Sequence, residues 1–441
     1  MENNIISIGI FFDGTGNNGV NATAYRKPLT NNESYHSNIT NIYKLFRLFS
    51  GDEKLYIEGI GTVMGQEDSD FAMATCRNPE KLEGYSSDDK LNKGLSFIKK
   101  IVADKSRKYE LYIYGFSRGA MLARHFCHEL LKSEDSVQAD ITIRFLGVFD
   151  TVESCAFSDY SVTILPMVQR SLHLCAKDEC RYFFPLTGFF EDSREMNDSK
   201  YETEHHIWKE IFVPGAHADV GGGYLESSES VYISPEIMNG KLFSYVENIR
   251  KTAAVKKGSS FWDYLLEHIK LGNGNVFPQA YIERDCVYSE MSKMYGRLML
   301  EESNQNHKVF KTDFEESDFL INAENHPYLI KLYQKLTAYA ENLSPEMKPD
   351  YSYENLVEYM HISANFGLFK GGIQSNSRIN KELINNRLNV ATQSDGQFST
   401  NQSKLYSEIH HIENSEVDYA YGMNIPNNDN WSRTILLKES F

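Results

Sequence analysis

The stretch Tyr112-Ile113-Tyr114-Gly115-Phe116-Ser117-Arg118-Gly119-Ala120 decides the fold class of this 441-residue chain. An apolar run leads into Gly-x-Ser-x-Gly, and a helical pattern from about Arg118 to Leu131 follows directly. A serine on a sharp strand-to-helix turn needs small neighbours, because the backbone bends tightly there and the helix begins at once. The pattern predicts a nucleophile elbow with Ser117 as the nucleophile, and its rival interpretation is a purely structural turn.

Outward from this motif, residues 1–225 repeat one pattern, a short apolar run that ends in a turn bearing Gly or Asp. The runs are Ile5–Phe12, Lys54–Ile60, Glu110–Tyr114, Ile143–Phe149 and Ile211–Val213. Apolar strands separated by helical stretches are typical of a parallel sheet with helices on both faces. We therefore predict an α/β fold with a mainly parallel central sheet, whose functional residues follow the carboxyl ends of the strands.

The rest of the chain divides into two parts. Four segments with helical spacing fill residues 226–355, namely Phe243–Ile249, Phe261–Ile269, Ser289–Glu302 and Tyr328–Asn342. They predict a mainly helical cap inserted into the core. Residues 356–441 are expected to return to the core, with surface loops in the segment 374–404, which is rich in Asn, Ser and Gln.

Composition limits the possible partners. The chain has 61 Asp and Glu against 45 Lys and Arg, a formal net charge of −16. This balance argues against nucleic acid and against polybasic docking on anionic lipid. Aromatic residues make up 13% of the chain, and the cap segment Phe261–Leu266 and the segment Leu186–Phe190 are expected to offer some of them as an exposed apolar surface.

The cysteines and the N-terminal residues bear on compartment. Six cysteines without a CxxC pair are predicted to be free thiols of a protein made in a reducing cytoplasm, and no metal or cofactor site is predicted. Met1–Asn4 has no basic region, and the apolar run that follows is too short for a signal peptide or a membrane span. We expect a protein without a cleavable signal.

Four motifs, in this order, resemble the α/β-hydrolase family that includes the bacterial type VI secretion phospholipase effectors. They are Phe12-Asp13-Gly14-Thr15-Gly16-Asn17, Gly115–Ala120, Val148-Phe149-Asp150-Thr151-Val152 and Pro214–Gly223. The stretch Leu172–Arg181 is also similar to a helix of that family. The resemblance implies an α/β-hydrolase with a helical cap that cleaves acyl esters of phospholipids, as a phospholipase of A type. It further implies export by the type VI system to the membrane of a rival cell, with a secretion carrier and an immunity protein as partners.

The sequence leaves two acid–base pairs open. In α/β-hydrolases the chain order is serine, acid, histidine, and both Asp219 with His361 and Asp150 with His217 satisfy it. We prefer Asp219 and His361, because the acid is expected after the second strand beyond the serine and the histidine after one more strand. Around His361, Glu358–Phe366 resembles the His-x-Ser segment of the lipase effectors, although Ile362 stands where that family has an acidic residue.

An oxyanion hole is predicted from the backbone N–H of Arg118 and from one N–H of the loop after the first strand, at Gly14 or Thr15. Asp13 is expected to hold this loop by its own hydrogen bonds. A phosphorylated aspartate or a plain turn are the rival interpretations of that loop. Two rival functions also stay open: a serine hydrolase of small esters or cell-wall acyl groups, and a non-catalytic partner-binding module with a degenerate site.

Overall fold

The central feature of the computed structural model is a seven-stranded sheet. The structure describes residues 5–28, 32–132, 139–155, 160–181, 183–190, 196–233, 242–244, 246–247, 261, 265, 268–272, 279–365, 403–405, 424, 433 and 435–438. In chain order, the first eight strands are β1 (Ile5–Phe12), β2 (Glu53–Ile57), β3 (Lys108–Phe116), β4 (Asp140–Phe149), β5 (Val168–Ala176), β6 (Leu186–Thr187), β7 (Ser199–Glu202) and β8 (Ile207–Val213). The sheet order is β2-β1-β3-β4-β5-β8-β7. Every neighbouring pair is parallel except β7 with β8 at the edge, which confirms the predicted mainly parallel sheet.

Helices cover both faces of this sheet. In chain order they are α1 (Gly19–Ala22), α2 (Glu33–His36), α3 (Asn41–Leu48), α4 (Asp70–Thr75), α5 (Ser87–Ile101), α6 (Arg118–Lys132), α7 (His217–Gly221), α8 (Met291–Asn304), α9 (Pro327–Asn342) and α10 (Tyr353–Leu356). Alternate side chains of β3 enter opposite cores, because successive residues of a strand point to opposite faces. Tyr112 and Tyr114 pack with α3 and α8, whereas Leu111 and Ile113 pack with α5 and α6.

Strand β5 corrects one expectation from the sequence. The stretch Leu172–Arg181 was expected to be helical, but residues up to Ala176 form a central strand that pairs with β4 and β8. Its side chains are almost all buried, because helices cover both faces of the sheet here. Polar residues such as Arg170 and His173 interrupt its apolar run, so the sequence pattern does not mark a strand here.

Within its described residues, the predicted cap region contains strands as well as helices. The predicted helices Ser289–Glu302 and Tyr328–Asn342 are present as α8 and α9. Before them, the strands β9 (Ser227–Tyr232), β10 (Lys270–Gly272) and β11 (Gln279–Val287) form a small antiparallel sheet. The predicted helices Phe243–Ile249 and Phe261–Ile269 lie largely outside the described residues, but Phe261 and Leu265 are buried in the core. Leu186 and Phe189 are buried as well, so these four described residues do not contribute to the expected exposed surface.

Two short strands of the distant C-terminal segment lie within the described residues. Strand β13 (Ile435–Lys438) pairs in parallel with β6 and in antiparallel orientation with β12 (Ser403–Leu405). The predicted surface loops at 374–404 lie outside the described residues, apart from the first residues of β12. Among the helices described here, none has the length and apolar character needed to cross a bilayer.

One disulfide contradicts the prediction of free thiols throughout. Cys76, which ends α4, is bonded to Cys155, which follows β4, with the two Cα atoms 5.8 Å apart. Cys127, Cys175, Cys180 and Cys286 are free. The sequence gives no sign of the pairing, because 79 positions separate the two partners and only the sheet brings their loops together.

Candidate active site

Ser117 lies on a tight turn between β3 and α6, as its motif predicts. Its φ of +60° is in the left-handed region that side chains with a Cβ rarely adopt. The two glycines of the motif leave room for this bend. A Cβ at Gly115 would lie 2.5 Å from the Cα of Ala120, and a Cβ at Gly119 would lie 2.2 Å from the carbonyl oxygen of Asp13. The turn therefore presses the start of α6 against the loop that follows β1.

Asp219 and His361 meet in a buried hydrogen bond. The Nδ1–H of His361 donates to Oδ1 of Asp219 at 2.7 Å, and the backbone N–H of His361 donates to Oδ2 at 2.9 Å. The same Oδ2 accepts the Ala216 N–H at 2.9 Å. The Nε2 atom of His361 is buried and has no hydrogen-bond partner among the described residues. This histidine is therefore oriented at one nitrogen and available at the other.

The charge of Asp219 sets the proton affinity of His361. Burial alone would lower the pKa of His361, but the neighbouring carboxylate outweighs it through charge and hydrogen bonding, with a smaller contribution from Glu229. The result is a pKa above the ordinary value for histidine. The Tyr224 ring stacks on the imidazole with centroids 4.2 Å apart.

Asp150 and His217 form a second pair with a similar hydrogen bond. The Nδ1–H of His217 donates to Oδ2 of Asp150 at 2.5 Å, and Nε2 of His217 is buried without a partner among the described residues. Asp150 differs from Asp219 because Nη1 of Arg433 also donates to its Oδ2 at 3.1 Å. Burial lowers the pKa of His217 in spite of the Asp150 charge. The structure thus brings together both pairs that the sequence left open.

The loop after β1 is held by Asp13, as expected from the sequence. One oxygen of its carboxylate accepts the Thr40 hydroxyl at 2.7 Å and the Gly14 N–H at 2.8 Å, and the other accepts the Tyr56 hydroxyl at 2.6 Å. Burial raises the pKa of Asp13 to about 6. Since the Gly14 N–H is engaged by this carboxylate, Thr15 is the better loop candidate for the oxyanion hole. Arg118 begins α6, where a backbone N–H has no carbonyl partner within the helix.

Sequence reasoning missed Glu179, which ties the two histidine segments together. Its Oε2 accepts the His217 N–H at 3.2 Å, and its Oε1 accepts the Ser363 hydroxyl at 2.8 Å. Arg181 contacts both oxygens. Burial opposes the charge, but Arg181 outweighs it and holds the pKa of Glu179 far below its usual range. Its only signal in the sequence is a position just beyond β5, the strand that was not predicted. Arg433 was missed too, and no motif marks it.

One buried cluster has the residue types of a metal site but not the free ligand atoms. Within the described part of the chain, His173, Cys175 and Glu210 form such a group. The Nδ1–H of His173 donates to Glu210 at 2.8 Å, and its Nε2 accepts the Thr151 N–H at 3.1 Å. Both ring nitrogens are thus used within the protein, so the cluster anchors the loop that carries Asp150.

Comparisons with known proteins complete the description. The family model described as "T6SS, Phospholipase effector Tle1-like, catalytic domain" matches residues 7–133 and 126–239, more than half of the chain. A solved structure, "Structure of the Tle1 effector bound to the VgrG spike from the Type 6 secretion system", is 19% identical with a TM-score of 0.59. That match covers 98% of this chain and 93% of the other, and it shows a shared fold.

A second solved structure, of an uncharacterized protein from Pseudomonas aeruginosa, is 15% identical over 97% of this chain and 65% of that one. Its TM-score of 0.39 is too low to indicate a shared fold. No curated protein matches the chain.

Proposed function

This chain belongs to the Tle1-like family of type VI secretion phospholipase effectors, and we propose that Ser117, His361 and Asp219 form its catalytic triad for acyl-ester cleavage. One observation carries the proposal. His361 is fixed by Asp219 at Nδ1, its Nε2 is buried and unpartnered, and of the two candidate histidines it is the one whose pKa is raised. A general base needs this combination of one oriented nitrogen and one free nitrogen.

The proposed reaction proceeds in two stages. His361 Nε2 takes the proton of the Ser117 hydroxyl while the serine oxygen attacks the acyl carbonyl of the lipid. Backbone N–H groups of Arg118 and of the loop at Thr15 stabilise the resulting oxyanion. The protonated His361 then gives its proton to the departing lysophospholipid oxygen. A water molecule, deprotonated by the same histidine, attacks the acyl-enzyme and releases the fatty acid.

Electrostatics favours His361 over His217 as the base. During the reaction the base must hold a positive charge, so a neighbouring carboxylate has to stabilise its imidazolium form. Asp219 raises the pKa of His361, whereas burial lowers that of His217. The charge of Asp150 is already balanced by Arg433. We therefore assign Asp150 and His217 a structural role beside the site.

Partners and site of action follow from the family. The solved Tle1 effector is described as bound to a VgrG spike, and we infer a spike protein of this kind as the carrier of this chain. We further infer that the enzyme acts on the membrane of the target cell and that the producing cell holds an immunity protein against it. Phospholipase activity would otherwise attack membranes of the producer.

Release of fatty acid from phospholipid vesicles tests the proposed chemistry. We expect Ser117→Ala to lower the rate by about 10⁴-fold or more, since loss of a serine nucleophile leaves only binding and oxyanion stabilisation. Ser199→Ala, on the edge strand β7, is the matched control and should retain wild-type activity. Full activity of the Ser117→Ala enzyme would exclude the mechanism. Activity on soluble esters without activity on vesicles would favour the small-ester hydrolase instead.

A further inference from the structure

Several exposed apolar side chains lie where the functional loops leave the sheet. Within the described ranges, five large ones follow the carboxyl ends of β1, β2 and β8. They are Tyr25 (100% exposed), Met64 (61%), Leu82 (51%), Leu225 (49%) and Phe71 (41%). We call these five residues the apolar rim. Large apolar groups left in water on neighbouring segments mark a contact surface more often than isolated ones do.

Hydrogen bonds join the segments of the apolar rim around β2 into one layer, and the Gly61 N–H, which donates to the Tyr85 carbonyl at 2.9 Å, ties in the segment that follows Leu82. The Gly65 N–H donates to Oδ1 of Asn21 at 2.8 Å, which links the segment of Met64 to α1, just before Tyr25. The Ser69 N–H donates to the Gly61 carbonyl at 2.8 Å, so the turn that carries Met64 is closed against the start of α4. Phe71 lies in α4. These segments are therefore parts of a fixed surface.

The same layer is continuous with the candidate active site. The Gly16 N–H, in the loop beside the proposed oxyanion hole, donates to the Ile60 carbonyl at 3.0 Å. On the other side, the Asn38 N–H donates to the Gly223 carbonyl at 2.9 Å. Leu225 directly follows Tyr224, whose ring stacks on the proposed base His361. The apolar rim thus extends from the oxyanion loop to the base.

We propose that the apolar rim is the surface by which this enzyme rests on a phospholipid bilayer. The inference rests on the proposed function, because a lipid ester can reach Ser117 only if the loops around the serine meet the membrane. Apolar side chains that enter the headgroup and acyl boundary hold a protein there without spanning the membrane. The apolar rim lies on loops of the α/β core, away from the cap segment that the sequence favoured.

Charge determines which kind of membrane contact is possible. The formal net charge of −16 opposes attraction to anionic lipid. The rim segments carry both signs of charge, with acidic Glu67, Asp68 and Asp70 and basic Arg26, Lys27 and Lys81. Contact through the apolar rim is driven by burial of apolar surface, so added salt should leave it intact. Binding through basic residues would weaken under the same change.

Vesicle flotation tests the apolar rim without any turnover. The protein carries Ser117→Ala, and the vesicles are phosphatidylcholine. The triple variant Tyr25→Ser, Met64→Ser, Leu82→Ser should bind about 30-fold more weakly, since three exposed apolar groups no longer enter the lipid. The matched control replaces the same residue types elsewhere, as Tyr201→Ser, Met347→Ser and Leu131→Ser. These three are exposed to 43%, 44% and 49%, and we expect their binding to stay within about twofold of the parent.

The second measurement uses the two triple variants with Ser117 intact. Hydrolysis of a monomeric short-chain ester should be unchanged in both, while hydrolysis of vesicles should fall only in the rim variant. Raising NaCl about tenfold should leave vesicle binding of the parent undiminished.

Four outcomes would overturn the apolar rim as a membrane surface. The first is absence of vesicle binding by the parent protein, and the second is equal binding by the rim variant. The third is a loss of monomeric-ester hydrolysis in the rim variant that is as large as its loss of vesicle hydrolysis. That result would mean that the rim residues stabilise the active site. The fourth is a rim variant that still binds vesicles but no longer binds a carrier protein. That result would identify the rim as the surface that contacts the carrier. Activity that survives Ser117→Ala would refute the proposed chemistry but leave the flotation result standing.

Discussion

Replacing Asp219 by asparagine separates the two acid–base pairs most sharply. Oδ2 of Asp219 accepts two backbone N–H groups, from Ala216 and His361, and Oδ1 accepts the imidazole Nδ1–H. An asparagine has one oxygen to offer. If that oxygen keeps the two backbone donors, its NH₂ group faces Nδ1 of His361. The imidazole must then accept at Nδ1 and carry its proton on Nε2, where it cannot take a proton from Ser117.

The expected loss of kcat/KM follows from the free-energy cost of the other amide orientation, in which the asparagine oxygen faces the imidazole. Turning the oxygen toward the imidazole leaves two buried backbone N–H groups without an acceptor, at about 1–3 kcal/mol each. The productive orientation is therefore populated at roughly 10⁻² to 10⁻⁴, at about 1.4 kcal/mol per factor of ten. We expect kcat/KM of Asp219→Asn to fall by about 10²- to 10⁴-fold.

The matched variant is Asp150→Asn, assayed beside Asp219→Asn for fatty-acid release from vesicles. Asp150 is fully buried against Arg433, so its neutralisation should lower the unfolding temperature while changing kcat/KM per folded molecule by less than about tenfold. Thermal unfolding of each variant gives the folded fraction at the assay temperature. A wild-type rate for folded Asp219→Asn, together with an inactive folded Asp150→Asn, would refute the assignment and identify His217 as the base.

Three further predictions test the electrostatics and the packing. Because His361 has a raised pKa, the acidic limb of the profile of kcat/KM against pH should lie above about pH 6.5. Glu229→Gln should move this limb to lower pH. An unchanged limb would show that the charge of Glu229 does not contribute to the pKa of His361. Gly119→Ala places a Cβ 2.2 Å from a backbone carbonyl and should lower the unfolding temperature by several degrees. Gly94→Ala meets only side-chain atoms, at 3.2 Å or more, and should change the unfolding temperature little. Burial lowers the pKa of Lys44 to about 7, so the unfolded chain binds an extra proton between about pH 7 and pH 10.4 and the free energy of unfolding should rise with pH there. Lys44→Met should remove this slope in denaturant titrations at pH 7 and pH 9, and an identical slope would contradict the burial.

The sequence predicts the sheet well where strands are apolar and fails where a buried strand carries polar side chains. The five predicted runs correspond to β1, β2, β3, β4 and β8. Strand β5 was missed because Arg170 and His173 interrupt its apolar pattern. Their partners come from other elements: Glu302 of α8 for the arginine, and Glu210 of β8 for the histidine. Such a strand can be recognised only when the partners of its buried polar side chains are known.

The candidate active site was also predicted only in part from the sequence. Motifs mark Ser117, both aspartates and His217, and the structure forms both predicted Asp–His hydrogen bonds. The expected strand before His361 is absent, however, since that residue follows a short 3₁₀ turn at Val357–Tyr359. The preferred pair was therefore reached by an argument from topology that the structure does not support.

What separates the two pairs is a charge balance that no motif reveals. In the described part of the chain, Asp150 has a guanidinium partner in Arg433, and no lysine or arginine forms an ion pair with Asp219. A carboxylate that already neutralises a buried cation stabilises a new imidazolium less than one whose only cationic partner is that imidazolium. Removing the cation should therefore strengthen the second pair. We expect Arg433→Met to raise the pKa of His217 in an NMR titration of its ring protons, with the His361 pKa unchanged. A His217 pKa that stays low would mean that burial and the charge of Arg181, not Arg433, keep this residue from acting as a base.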